Sequence, residues 1–191
     1  MRYLIAGLGS VGRRHLRNLT ALGQKDILLY RSGRSTLPDE ELAGFPTDYD
    51  LKSALVHNPQ AVIVSNPTAL HLDVAIPAAE AGCDLFVEKP ISHNMDRLDD
   101  LGKASAFGGG KMLVGFQFRF HPGLQQIKNI LDENRIGKVL FVNSHWGEYL
   151  PGWHPKDDYR QGYSARSNLG GGVVLTLCHP IDYLRWFLGE G

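Results

Sequence analysis

Short apolar blocks alternate with stretches whose apolar residues recur at helical spacing. Arg2 to Ala6 is an apolar run that stops at Gly7, and Val11, His15, Leu16, Leu19 and Leu22 then mark one face of a helix before Gly23. Ile27 to Tyr30 reads as a second strand, followed by a polar loop from Arg31 to Pro38 with no period. Ala61 to Val64 is a strand bounded by Asn58-Pro59 and Asn66-Pro67, and Thr68 to Ala81 is a helix closed by Gly82. Asp84 to Val87, Asn94 to Ala106 and Lys111 to Phe116 continue the series as strand, helix and strand. Beyond it, His121 to Asn134 predicts a helix closed by Gly137, Val139 to Trp146 a strand, and Cys178 to Leu188 a helix closed by Gly189.

Strands that are apolar throughout and alternate with helices predict an α/β fold: a doubly wound parallel sheet, with ligands at the carboxyl ends of its strands. Residues 1–118 complete such a domain. Residues 119–191 begin a second one that holds a single strand, and a stable sheet needs about three or more, so this part is expected to be incomplete. Gly108-Gly109-Gly110 reads as a surface loop.

Composition narrows the function classes. Lys plus Arg and Asp plus Glu are equal at 20 each in 191 residues, which gives no field of one sign to hold nucleic acid or an anionic membrane. A hydrophobic content of 43% spread along the chain argues against disorder. The first residues are too short and too broken by glycine for a signal-peptide core, and no run approaches the roughly 18 apolar residues of a membrane span, so a cytoplasmic protein is expected. Cys83 and Cys178, far apart and without a second pair, imply neither a disulfide framework nor a metal site.

Gly7-Leu8-Gly9-Ser10-Val11-Gly12 is a G-x-G-x-x-G. With 22 glycines in the chain such spacing is weak by itself, but this one begins where the first strand ends and opens the first helix. There the amides of Ser10 and Val11 and the helix dipole face a bound pyrophosphate. An NAD site usually has an acid about 20 residues on; here the strand end reads Tyr30-Arg31-Ser32-Gly33-Arg34. Arg31, helped by Ser32 or Arg34, suits a 2′-phosphate, which favours NADP over NAD; the alternative is a solvated basic loop.

The strand Asp84 to Val87 runs into Glu88-Lys89-Pro90, which sets a lysine at the carboxyl edge of the sheet. A lysine in a desolvated site beside a cationic cofactor can exchange a proton with a hydroxyl or carbonyl, and its alternative is an ion pair with Glu88. His179 and Asp182 stand three apart on a predicted helix and share a face, where a carboxylate can orient an imidazole or a substrate; a cap or a core histidine is the plainer reading. Asn66, Thr68 and His71 lie at another strand end and suit the ribose or nicotinamide, although His71 is equally a capping or packing residue. Trp146 to Pro155 with Tyr159, Arg160 and Tyr163 is rich in aromatics that suit sugar faces, or is an irregular structural loop.

The order Gly7-x-Gly9-x-x-Gly12-x-x-His15, Asn66-Pro67-Thr68-x-x-His71, Glu88-Lys89-Pro90, and a glycine run before His179-x-x-Asp182 resembles the Gfo/Idh/MocA oxidoreductases over nearly the whole chain. The resemblance implies a Rossmann-type NAD(P)-binding domain over 1–118, then the start of an α/β substrate and oligomerisation domain over 119–191. It implies that Lys89 is the catalytic lysine, that Lys89-Pro90 is cis, and that His179 and Asp182 contact reacting hydroxyls of a sugar, sugar derivative or cyclitol. Glu88 and Gln117 fall with the cofactor residues, and Arg119, Trp153, Tyr159 and Thr176 with the substrate residues. His121, His145 and His154 gain no role. Members are longer and often oligomeric, so the resemblance implies a homo-oligomer at full length. One departure stands out: relatives often carry Asp four residues before that histidine, where this chain has Leu175, or Thr176 if a gap is allowed. A non-catalytic dinucleotide-binding module, or an inactive fragment, is the alternative to an NAD(P)-dependent dehydrogenase acting on CH–OH groups. Methyl transfer on a similar fold would leave Glu88-Lys89-Pro90 without a task.

Overall fold

The structure, a computed structural model, describes residues 1–33, 37–153 and 158–189. It divides into two compact units, one of Met1–Gly115 with Asn168–Gly170 and one of Phe116–Ser167 with Gly171–Gly191.

The first unit is built on six parallel strands: β1 (Tyr3–Ala6), β2 (Ile27–Tyr30), β3 (Thr47–Asp48), β4 (Ala61–Val64), β5 (Asp84–Val87) and β6 (Met112–Val114). Their order is β3-β2-β1-β4-β5-β6, so the chain reverses direction across the sheet between β1 and β4. Ligands of open α/β sheets bind at that reversal, beyond the carboxyl ends of the strands. Side chains alternate between the faces. Leu4, Ala6, Leu28, Val62, Val64, Leu85 and Val87 point one way, where α2 (Leu51–Val56), α3 (His71–Glu80) and α4 (Leu98–Gly108) cover them with Ala54, Leu72, Ala75, Ala79, Leu101 and Ala104. Ile5, Ile27, Leu29 and Ile63 point the other way, onto Leu16 and Leu19 of α1 (Ser10–Ala21) and onto Leu42. Strands buried on both faces read as unbroken apolar runs, which is how they were legible.

Two elements of this unit lie outside the periodic pattern. The strand β3 has two residues and no period to detect. The helix α2 does carry a signal: Asp50 caps it by accepting from the Ser53 amide at 2.9 Å, ahead of Leu51, Ala54 and Leu55.

In the second unit, α5 (Pro122–Asp132), α6 (Val173–Thr176) and α7 (His179–Leu188) are joined by irregular chain with single turns at Gln117–Phe120, Leu150–Gly152, Tyr159–Gln161 and Tyr163–Ala165. The strand expected over Val139 to Trp146 does not form. Its apolar, β-branched and aromatic residues supply β-propensity, but a strand is defined by a ladder, and among the described residues none pairs with it; Leu140 and Phe141 are exposed. No helix of the described residues is long and apolar enough to cross a membrane, and no group of them has the makings of a metal site.

Candidate active site

The register aligns the strand ends. Ala6 pairs with both Tyr30 and Val64, and Val64 with Val87, so Gly7, Arg31, Ser65 and Glu88 leave the sheet in one row.

At the middle of the row the three glycines of the turn do three different things. Gly7 has φ +92°, and a Cβ there would lie 2.4 Å from the Asn66 nitrogen. A Cβ on Gly12 would lie 1.8 Å from the Gly7 carbonyl oxygen, so this position lets α1 seat against β1. Gly9 has nothing within 4 Å of its ideal Cβ, and its bare backbone faces open space. That opening, at the N-terminus of a twelve-residue helix with no side-chain cap and no acid in its first turn, fits a phosphate-bearing cofactor. Ser10, exposed, and Val11, half-buried, form the first turn.

The end of β2 holds an acid as well as the arginine. Arg31 does follow β2, but its guanidinium pairs with Asp39 Oδ1 at 2.8 Å, and the arginine side chain is 10% exposed against 63% for the aspartate. Buried Arg13 reinforces the arrangement: its Nε donates to the Leu8 carbonyl at 3.0 Å within the glycine turn, and its Nη2 lies 3.7 Å from Asp39. A carboxylate therefore does stand near the end of β2, delivered from a loop eight residues later. Ser32 is exposed beside it, and Arg34 lies outside the described residues.

Glu88-Lys89-Pro90 follows β5, with Lys89 half-buried and the Lys89–Pro90 bond cis. Glu88 Oε1 lies 2.8 Å from His15 Nε2 on α1, and Oε2 accepts from the Lys89 amide at 3.3 Å. Burial raises the pKa of Glu88, but the hydrogen bond and charge of His15, the Lys89 amide and the Arg14 charge outweigh it and leave the carboxyl below its ordinary value. Glu88 was expected to bind the cofactor. In the structure its carboxylate meets His15 and the Lys89 amide.

At the exit of β4, the Asn66 amide donates to the Leu70 carbonyl at 2.9 Å. Thr68 is buried under Gly170, whose Cβ would come within 2.8 Å of it. His71, read either as a ribose or nicotinamide residue or as a capping or packing one, is 1% exposed, and both ring nitrogens meet backbone carbonyls, Nδ1 that of Pro90 at 2.9 Å and Nε2 that of Asn66 at 3.0 Å.

In the second unit His179 opens α7 inside a ring of aromatics. Phe118 stands edge-on at 4.7 Å between centroids, Phe116 edge-on at 6.3 Å, and Trp146 stacked at 6.0 Å; the Gln117 amide lies 3.3 Å from Nε2. Asp182 was expected to orient this imidazole or a substrate. Its buried carboxylate instead receives Arg119 bidentately, Nη2 to Oδ1 at 2.6 Å and Nε to Oδ2 at 3.0 Å. An arginine fork matches a carboxylate's geometry. Thr176, buried, ends α6; Trp153 is half-buried; Tyr159 is exposed with the Arg160 guanidinium 5.8 Å over its ring. His154 lies outside the described residues.

The model of the oxidoreductase family with an NAD-binding Rossmann fold matches residues 1–116, and that of the GFO/IDH/MocA C-terminal domain matches 124–191. The chain belongs to the Gfo/Idh/MocA family. Among its Gfo/Idh/MocA relatives, inositol 2-dehydrogenase of Salmonella paratyphi B is 29% identical over 193 residues, covering 97% of this chain and 54% of the relative. Myo-inositol 2-dehydrogenase of Thermotoga maritima is 29% identical over 200 residues, covering 100% and 55%. The crystal structure of myo-inositol 2-dehydrogenase from Lactobacillus plantarum superposes with a TM-score of 0.83 at 26% identity, covering 99% of this chain and 56% of that one. The chain thus spans little more than half the length of the Gfo/Idh/MocA proteins it matches.

Proposed function

We propose that the chain carries the dinucleotide-binding unit, and the start of the substrate unit, of an NAD-dependent dehydrogenase acting on a secondary hydroxyl of a cyclitol or sugar. The observation that carries this reading is the single row of strand ends, which sets an open helix N-terminus after β1 and a lysine after β5 along one edge of the sheet. Inositol dehydrogenases among the relatives support the substrate class.

Gly9, Ser10 and Val11 would hold the pyrophosphate, with Asn66 along the same edge. When bound, the nicotinamide supplies the hydride acceptor in one direction and the donor in the other. The Lys89 amine takes the hydroxyl proton during oxidation and returns it during reduction. In the second unit His179, with Thr176, Arg119, Trp153 and Tyr159, is assigned to the sugar hydroxyls and faces. The test is incubation of the full chain with NAD and a panel of inositols and sugars. Formation of reduced nicotinamide with at least one of them is expected; cofactor binding with no reduction across the panel overturns the reading and leaves a dinucleotide-binding module.

Asp39 supports NAD over NADP. A 2′-phosphate would meet this carboxylate and compete with it for Arg31, whereas a ribose hydroxyl can donate to it. Wild-type protein is expected to bind NADH more tightly than NADPH, and Asp39→Ala to narrow that ratio by about tenfold, since like charges at close range cost on the order of 1 to 2 kcal/mol. Fluorescence titration with both nucleotides measures it. An unchanged ratio removes Asp39 from the selection of cofactor and restores Arg31 as a phosphate ligand.

A further inference from the structure

The structure assigns to His71 the role of a positioning residue: its ring joins the turn after β4 to the turn after β5 and so fixes the backbone from which Lys89 projects. The inference rests on the reading of Lys89 as the proton-exchanging group. It deepens that reading by naming what holds the group in place.

His71 begins α3, beneath both turns, and its two contacts are with carbonyls of residues that leave different strands. A neutral core histidine is satisfied by one acceptor and one donor, whereas both nitrogens of His71 face carbonyl oxygens. Here both nitrogens are used, one on Asn66 and one on Pro90, the residue directly after Lys89. Carbonyls only accept, and a neutral imidazole carries one N–H, so one contact is a full hydrogen bond and the other places a lone pair against a carbonyl. Burial pushes the pKa of His71 down, although the Asn66, Pro90 and Ile91 backbone and the Glu88 charge pull it up. The ring therefore stays neutral at pH 7.

On the other side of Lys89 the same job falls to Glu88, whose carboxylate receives the Lys89 amide and pairs with His15. Lys89 is thus flanked by one residue anchored to α1 and one anchored to α3. Neither histidine needs to touch substrate for its loss to matter, because displacing a reacting group by about 1 Å can reduce a rate by about a hundredfold.

The two carboxamide substitutions separate positioning from space filling. Asn places its amide nitrogen close to where Nδ1 lies and keeps a donor for Pro90; Gln places its nitrogen close to Nε2 and keeps a donor for Asn66 only. Two measurements on the full chain apply. One is the pH midpoint for acetylation of the Lys89 amine, read by competitive labelling and mass spectrometry with NADH bound. The other is kcat and KM. His71→Gln is expected to shift the labelling midpoint by about half a pH unit or more and to lower kcat at least about tenfold, with KM and the NADH dissociation constant within about twofold of wild type. His71→Asn is expected to remain within about threefold on kcat. If His71 were only filler, Gln, nearer in volume, would be the milder change; equal effects of the two variants, or a labelling profile unmoved in both, overturn the assignment. The labelling arm needs no turnover. It therefore decides the role of His71 even if no sugar in the panel is oxidised, whereas undiminished turnover after Lys89→Met defeats the catalytic reading alone.

Discussion

Lys89→Met lowers kcat by about a hundredfold or more in the full chain and leaves the NADH dissociation constant within about twofold of wild type. Methionine keeps the length and the apolar stem of lysine while removing the amine, so the turn that Glu88 and Pro90 anchor is retained and only proton exchange is lost. General acid–base catalysis contributes roughly 10² to 10⁴ in rate, which sets the size of the effect. The measurement pairs steady-state turnover on the best inositol or sugar with fluorescence titration of NADH. A variant that keeps most of its turnover removes Lys89 from the chemistry; one that loses NADH binding in proportion shows that the lysine serves the cofactor instead.

The second large effect is expected at the glycine turn, where Gly12→Ala and Gly9→Ala separate. An alanine at position 12 places its Cβ 1.8 Å from the Gly7 carbonyl and 2.8 Å from Ser65 Oγ, and the first of these is backbone that cannot swing aside. The helix α1 must move off β1, at a cost of about 3 kcal/mol for overpacking of this kind, which lowers Tm by roughly 10 °C in a chain of this size. Alanine at position 9 meets nothing within 4 Å in the protein and leaves Tm near the wild-type value. It does fill the space into which a pyrophosphate would come, so NADH binding weakens by about tenfold or more. Thermal unfolding and NADH titration on both variants check the pair. Equal Tm values for the two would mean that α1 is not held against β1 by Gly12, and unweakened binding in Gly9→Ala would place the phosphates elsewhere.

These contrasts also show which parts of the molecule were readable in advance. Apolar runs of four residues announced β1, β2 and β4, and one of three after Asp84 announced β5, because a parallel sheet buried on both faces needs no polar alternation. The glycine turn and Lys89 were visible because their meaning depends only on standing at strand ends. What depends on a distant partner was not legible. The chain supplies an acid near the end of β2 from Asp39, eight residues after Arg31 in a stretch with no local period, and only its pairing with Arg31 reveals it. Asp182 was placed with His179 because they are near in sequence, yet Arg119, 63 residues away, offers the better geometry for a carboxylate. The span Val139 to Trp146 has the residue types of a strand but no ladder among the described residues, since propensity cannot supply the second strand. His15 reads from the sequence as part of a helical face and of a motif spacing, and its partner, Glu88, lies on another element altogether.

The Glu88-Lys89-Pro90 tripeptide is therefore not a self-contained cassette. Its anchors lie 73 residues upstream at His15 and 19 residues upstream at His71. A protein engineer who transplanted the three residues onto the rim of another sheet would carry over the amine without its mount, and the smallest portable piece is a five-residue constellation gathered from α1, α3 and the end of β5.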